Sequence, residues 1–401
     1  MTSSLTEGSG SGTQSMAAGT QQDSPQMPDD AVFLFSHGPH TLRTQGVQEI
    51  IQTPAVNGMD ADSALQQHIR AAFARARAAG VERPIVVGSI PFDTREPSCL
   101  YVPAQSEWIT GWEDLTTADL PAPPAPHSLT TIPDQQGFEQ GVARAAAACA
   151  AGPLRKTVLA ISSRLTFTAP LPVAVLRTRL RQQNPSGYLL QVPLPGGGHL
   201  AGVSPELLIR RHENVVQSNP LAGSARRLPD PVDDRANADR LTASAKDHHE
   251  HGFVTADIRA RLSPLCTTLE VPEHPSLIST AALWHLSTQI HGILKPPCSN
   301  ALQLACAIHP TPAVCGTPRD EAHAIIRSIE PFERGLFTGF TGWMDADGNG
   351  EWVITIRCGV LKDEQLQIFA GAGIVAASDP HAEWNEVQTK QRTMLRACGI
   401  S

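Results

Sequence analysis

From Ala31 onward, short apolar runs alternate with polar stretches, and glycine or proline closes nearly every run. VFLF at 32–35 and PIVVGSIPF at 84–92 read as strands, and Ser63–Ala79 between them reads as an alanine/arginine helix closed by Gly80. Leu120–Ser128 (LPAPPAPHS) is a proline-rich surface connection, followed by a helix over Gly137–Ala151 and a strand around Thr157–Ile161. Gly187–Pro193 and His199–Val203 form a strand pair around the turn Gly196-Gly197-Gly198, and SPELLIRR continues as strand. Asp234 to about Leu262 has few breakers and reads as one long helix despite Gly252. Helices follow at Asn300–Ile308, Arg319–Ile329 and His381–Ala397, with strands near Phe337–Trp343, Trp352–Cys358 and Leu366–Ala370. Helices and strands interleave without regular βαβ spacing and without a repeat of 20–50 residues, which favours an α+β fold over a doubly wound sheet, a solenoid or a propeller.

Composition narrows the partners. The chain has 401 residues, 41% of them hydrophobic, enough for a large core. With 31 basic against 39 acidic residues the formal charge is −8, so no basic surface for nucleic acid or anionic lipid is advertised, and a small-molecule ligand is expected. Residues 1–30 are rich in Ser, Gly, Gln and Thr with little to bury and are expected to be a disordered leader. No apolar run approaches the ~20 residues a bilayer requires, and no secretory segment is legible, so a cytoplasmic location is expected. Eight cysteines at wide, irregular spacing without C-x-x-C read as reduced thiols rather than a zinc site or a disulfide framework. Lys156, Lys246, Lys295, Lys362 and Lys390 are the only lysines beside 26 arginines, so each lysine merits inspection.

Three motifs are decoys. Asp345-Ala-Asp347-Gly-Asn349-Gly350 begins like a calcium loop, but its twelfth position is Ile356, and a hairpin turn is the better reading. Gly371-Ala-Gly373-Ile-Val-Ala376 fits a degenerate nucleotide fingerprint but lacks its acidic partner; its backbone amides are still suited to a ligand carboxylate. In His248-His249-Glu250-His251 the i,i+2 histidines point to different helix faces, which is not a zinc arrangement.

Asp247 with Glu250, and Glu383 with Glu386, each place two carboxylates on one helical face. Either pair alone is most often a solvated surface; together the two could cage a hard cation such as Mg²⁺, which takes one or two carboxylates directly and keeps waters. Lys390 continues the face of Glu386 one turn on.

Several segments together resemble the chorismate-utilising family, of which anthranilate synthase component I is also a member. These are LAGSARR (Leu221–Arg227), KDHHEH (Lys246–His251), Trp284-His285-Leu286, HPTPA (His309–Ala313), Glu330-Pro331-Phe332, Gly339–Trp343, GEWVITIR (Gly350–Arg357), FAGAGIV (Phe369–Val375) and Glu383–Lys390. Within the family the segments are most similar to the siderophore-type isochorismate synthases, and the resemblance runs from about Phe33 to Leu395. It implies a single catalytic domain over 31–401, with 31–135 packed on a core of 136–401, and large, mostly antiparallel sheets in a β-sandwich with helices outside. It also implies a monomer acting on chorismate with Mg²⁺ to give isochorismate, Lys156 being the general base on water and Glu206, in Ser204-Pro205-Glu206-Leu207-Leu208, the general acid on the departing hydroxyl. A lysine can be tuned toward the neutral form where an arginine cannot, and Glu206 needs an apolar setting that keeps it protonated. The resemblance further implies that Arg357, Gly371, Ala372, Gly373, Lys390, Gly223 and Ser224 contact substrate, that Glu250 and Glu386 hold Mg²⁺, and that Asp247 and Glu383 stand behind them; His285 and His309 are either orienting or structural. Salicylate synthase is the alternative product outcome. An anthranilate or aminodeoxychorismate component is disfavoured by Lys156 and by LAGSARR. Two positions depart from the family pattern: Ile161 stands where an arginine follows the lysine strand, with Arg164 as its possible substitute, and Thr338 stands where a second glycine is usual.

Overall fold

The computed structural model describes residues 31–111 and 121–400, so the leader expected over 1–30 lies outside the described residues. Strand alternation organises it. In Ile85–Ile90, Ile85 and Val87 join one buried cluster while Val86 and Ile90 join another, and in Gly350–Ile354 Val353 is parted from Trp352 and Ile354 in the same way. Successive side chains of a strand point to opposite faces, so each strand serves two layers.

The strands form one long antiparallel sheet folded into two arms. One arm runs Pro126–Ile132, Lys156–Phe167, Gln365–Ile374, Cys358–Lys362, His199–Ser204 and Tyr188–Pro193. The hairpin Leu34–His37/His40–Ile51 carries the ladder across. The other arm runs Cys99–Thr110, Ile85–Ile90, Phe340–Asp345, Gly350–Ile354, Leu207–His212, Val215–Asn219, Ile290–Leu294 and Cys266–Glu270. Phe35, Tyr101, Leu190, Val353 and Phe369, drawn from both arms, share one buried cluster, so the arms pack face to face. Helices Ala64–Ala78, Ala245–Leu262 and Ala301–Ile308 cover the outside of the second arm, and Gln135–Ala151, Val173–Gln183, Arg319–Ile329 and Pro380–Ala397 cover the outside of the first. This is the α+β sandwich that the resemblance implies. A separate three-stranded sheet joins Leu221–Arg226, Leu283–Ser287 and Ser276–Ser279.

The structure corrects several elements. The helix expected from Asp234 to Leu262 is two, Pro231–Ala243 and Ala245–Leu262. Ser244 breaks it with ψ 107°, and its Oγ accepts the Asp247 N–H at 3.2 Å, which caps the second helix. Gly252 lies inside that helix without interrupting it. Part of the proline-rich connection is strand: Pro126–Ile132 pairs with the Lys156 strand, extended backbone that proline tolerates at a sheet edge. SPELLIRR is not continuous strand, because the ladder stops at Ser204 and restarts at Leu207. The strand expected over Trp352–Cys358 ends at Ile354, and that expected from Phe337 begins at Phe340. Sequence reading also missed the strands His40–Ile51 and Cys99–Thr110, whose solvent-facing halves dilute the apolar pattern, and the helix Val173–Gln183. The calcium decoy is a hairpin turn, with Asp345 accepting the N–H groups of Asp347 (3.0 Å) and Asn349 (2.8 Å).

Candidate active site

Two strand interruptions build the cleft. Between His199–Ser204 and Leu207–His212 the chain passes from one arm to the other, and between Gly350–Ile354 and Cys358–Lys362 it passes back. The crossings lie side by side: Ile354 N–H donates to the Glu206 carbonyl at 3.1 Å, and Val203 N–H donates to the Arg357 carbonyl at 3.0 Å. Proline at 205 cannot donate to a ladder, and Arg357 adopts φ 51°, which no regular strand allows. Both side chains therefore leave the sheet and enter a cleft that Glu250, Glu386 and Lys390 also line.

Glu206 is 3% exposed and accepts the Leu221 N–H at 3.5 Å. Burial pushes its carboxyl up to about 7, against the lowering influence of that N–H, Lys156, Lys390 and Arg357. Lys156 opens its strand with its side chain fully buried, and its Nζ lies 2.8 Å from Glu250 Oε1, an ion contact without hydrogen-bond alignment. Burial lowers the Arg357 guanidinium to about 10. Lys390 donates to the Gly371 carbonyl at 2.7 Å and pairs with Glu386 at 2.6 Å.

Of the glycine run, Gly371 and Gly373 line the cleft. Ala372 turns its methyl into the helix-covered core instead, so it faces away from the expected ligand. Gly373 is fixed by space: a Cβ there would stand 2.2 Å from Glu250 Oε1 and 3.0 Å from Lys156 Cε. Gly223, at φ 78°, sits at a bulge between Ala222 and Ser224 and abuts Asp247. Ser224 Oγ and His285 Nε2 are buried without hydrogen-bond partners beside the cleft, and burial holds His285 well below its ordinary value, helped by Arg357 and Lys390. His309 lies elsewhere, its Nε2 3.2 Å from the Phe92 carbonyl.

The four carboxylates come from two helices as the i,i+3 spacing requires. Glu250 and Glu386 reach the cleft, and Glu383, 2% exposed, is paired with Lys246 at 3.1 Å behind it. Burial, then the neighbouring Glu386 charge, pushes Glu383 up to about 7, and burial raises Asp247. Glu386 is held below the carboxylate range: burial opposes this, but Lys390, Lys246 and Arg357 outweigh it. Among the described residues no three His, Cys, Asp or Glu groups converge on one point. Lysines take up the charge of Glu250, Glu383 and Glu386 instead. An all-oxygen donor set with buried like charge suits a hard divalent cation.

The rest of the wall is apolar and was not legible as chemistry: Val158, Leu221, Ala313, Val314, Ile356, Phe337 and Phe369 line it, the last two stacked at 4.9 Å. Both departures are resolved. Ile161 is buried on the helix-covered face, and Arg164 is exposed and does not substitute for an arginine there. Thr338 lines the cleft at φ 61°, a conformation natural to glycine; here its N–H bonds the Thr355 carbonyl at 2.8 Å and its Oγ1 donates to the Phe337 carbonyl at 2.6 Å.

A family model described as chorismate binding enzyme matches residues 104–399, which takes in every residue named for this cleft. The chain belongs to the chorismate-binding enzyme family. It is 45% identical over 371 residues to the isochorismate synthase EntC of Escherichia coli K12, covering 92% of this chain and 95% of that one. It is 43% identical over 378 residues to the isochorismate synthase DhbC of Bacillus subtilis, covering 92% and 94%. The crystal structure of DhbC from Bacillus anthracis superposes with a TM-score of 0.86 at 39% identity, covering 93% of this chain and 97% of that one. Anthranilate synthase component I of Streptococcus pneumoniae, 20% identical with a TM-score of 0.71, shares the fold. In this chorismate-binding enzyme, no helix among the described residues is long and apolar enough to cross a membrane.

Proposed function

We propose that the protein is an isochorismate synthase of the siderophore type, converting chorismate to isochorismate for an aryl-acid pathway such as that of 2,3-dihydroxybenzoate. The observation that carries this reading is a buried glutamate, Glu206, raised to about 7 in one cleft with Lys390 and Arg357, in a chain 45% identical to EntC across 92% of its length. A carboxyl at that value is protonated for part of the time near neutrality and can deliver a proton to a leaving hydroxyl.

Lys156 takes a proton from water as its oxygen bonds to C2, the ring double bond shifts, and the C4 hydroxyl leaves as water with the proton of Glu206. One water enters and one departs, so the step is an isomerisation and runs in both directions. Arg357 binds a substrate carboxylate through its planar fork, and Lys390 holds a second negative group. The open-edge backbone of Gly371 and Gly373 and the wall of Gly223-Ser224 limit where the ring lies. Glu250 and Glu386 are the residues suited to hold Mg²⁺, with Asp247 and Glu383 behind them. The cation supplies positive charge for a substrate carboxylate when bound. We take the enzyme to act as a cytoplasmic monomer.

Chromatography of the products from purified protein and chorismate, with and without Mg²⁺, tests the reading. Isochorismate in a reversible mixture, abolished by EDTA, is the expected result. Salicylate with pyruvate as the main product replaces it with the salicylate synthase alternative, and an amine product formed with ammonia replaces it with the anthranilate type.

A further inference from the structure

The Lys156–Phe167 strand has an incomplete edge. On the side away from Gln365–Ile374, Gly316-Thr317 pairs with Thr157 and Lys156, and Pro126–Ile132 pairs with residues from Ser162 to Phe167. The Val158 N–H still donates to the Cys315 carbonyl at 2.8 Å, but neither strand reaches the backbone from the Val158 carbonyl to Ile161. Side chains take the missing strand's place: the Val158 carbonyl accepts from Arg334 Nη2 at 2.8 Å, and the Ala160 N–H donates to Glu330 Oε1 at 2.8 Å. An unpaired buried peptide group is costly, so these two contacts are structural necessities of that edge.

Arg334 and Glu330 are each 3% exposed in their side chains and joined twice, Nε to Oε2 at 2.8 Å and Nη2 to Oε1 at 2.5 Å. Arg334 Nη1 donates to the Val314 carbonyl at 2.9 Å and to Thr338 Oγ1 at 3.3 Å. All five N–H donors of a guanidinium are thereby engaged. Phe92 lies under the guanidinium at 4.5 Å and Phe337 at 6.0 Å. Val158, Val314, Phe337 and Thr338 all line the cleft, but neither Arg334 nor Glu330 does. Three separate segments of the wall thus meet on one cation, and one of them carries Lys156 two residues before Val158.

We propose that Arg334, fixed by Glu330, is a positioning residue for the reaction: it stands in for a strand and sets the Lys156 strand, the Val314 loop and the Thr338 turn relative to one another. The proposal rests on the reading of this cleft as an isochorismate synthase site. A shift of about 1 Å in a positioned group costs up to ~100-fold in rate. Lysine cannot replace Arg334, having three donors and no planar fork.

The test uses the full chain carrying Arg334→Lys. The expected result is a kcat lowered about tenfold or more with KM for chorismate within about threefold of wild type, together with faster amide exchange over 158–161. A folded Arg334→Lys protein with wild-type kcat, whatever its Tm, overturns the proposal. Should that variant not fold, Glu330→Gln decides: it keeps an acceptor for the Ala160 N–H but removes the charge that orients Arg334, and an unchanged kcat with it overturns the proposal equally. If wild-type protein forms no isochorismate, the reaction reading falls by itself. The exchange measurement then judges the clamp, and unchanged exchange over 158–161 in the variants overturns it.

Discussion

Two charge clusters, one on the second arm and one in the cleft, are built on opposite rules. In the first, Arg210 and Glu351 face each other across paired strands; Arg210 Nε donates to Glu351 at 3.0 Å, Nη1 to Gln217 at 3.3 Å and Nη2 to Glu351 and to the Tyr188 hydroxyl. In the second, the cleft, Ser224 Oγ and His285 Nε2 are buried without hydrogen-bond partners, Lys156 Nζ has its ion contact with Glu250 alone, and the Glu206 carboxyl is raised to about 7. A satisfied pair stabilises the fold; groups left unsatisfied at a cost are held ready for a ligand.

Removing the acid or the base attacks the contrast most directly. Glu206→Gln and Lys156→Ala should each lower kcat by about 10²–10⁴-fold, measured by isochorismate formation, with thermal unfolding showing a folded protein. Glu250→Gln or Glu386→Gln should raise the Mg²⁺ concentration for half-maximal rate by about 10–100-fold; an unchanged requirement would move these carboxylates from the metal to the lysines alone. Arg210→Met should do the reverse, lowering stability by about 2 kcal/mol in denaturant titrations while kcat stays near wild type. A fully buried pair would cost about 3–5 kcal/mol, and Arg210, a third exposed, is discounted for solvent screening. If Arg210→Met abolished the reaction at full folding, the two clusters would not be separable.

The smallest effect is in pH. Glu206 donates only while protonated, so kcat/KM should fall as pH rises through about 7, and Glu206→Gln should lack that limb. The same raised value means that the folded state binds more protons than the unfolded chain between the ordinary 4.5 and about 7, so Glu206 lowers stability as pH rises through that window. The Tm difference between Glu206→Gln and wild type should therefore favour the variant more at pH 8 than at pH 5.

Features repeated along the chain were legible in the sequence. The helical carboxylate pairs and the strands with two apolar faces declare themselves by spacing, and the SPELL glutamate by its resemblance to the family. What escaped depends on contacts far away in sequence. The positive φ of Arg357 comes from a crossing between arms, and no neighbouring residue signals it. Arg334 has one local partner, Glu330 four residues before it, but the backbone carbonyls of Val158 and Val314 that it also binds are 176 and 20 residues away. The broken helix is a different case: Ser244-Ala-Lys-Asp247 is a local capping signature, which marks a helix start even where no glycine or proline breaks the run.

The hairpin that bridges the two arms has a consequence for how the chain is made. Leu34–His37 pairs with Tyr188–Pro193, and Ile85–Ile90 with Phe340–Asp345. During synthesis the earliest strands leave the ribosome well before their partners exist, so open apolar edges must wait through most of translation. The hairpin has all its partners once residue 193 is made, but Ile85–Ile90 stays half-paired until Phe340–Asp345 emerges, and a pause or truncation before residue 340 leaves a nascent chain whose sheet cannot close.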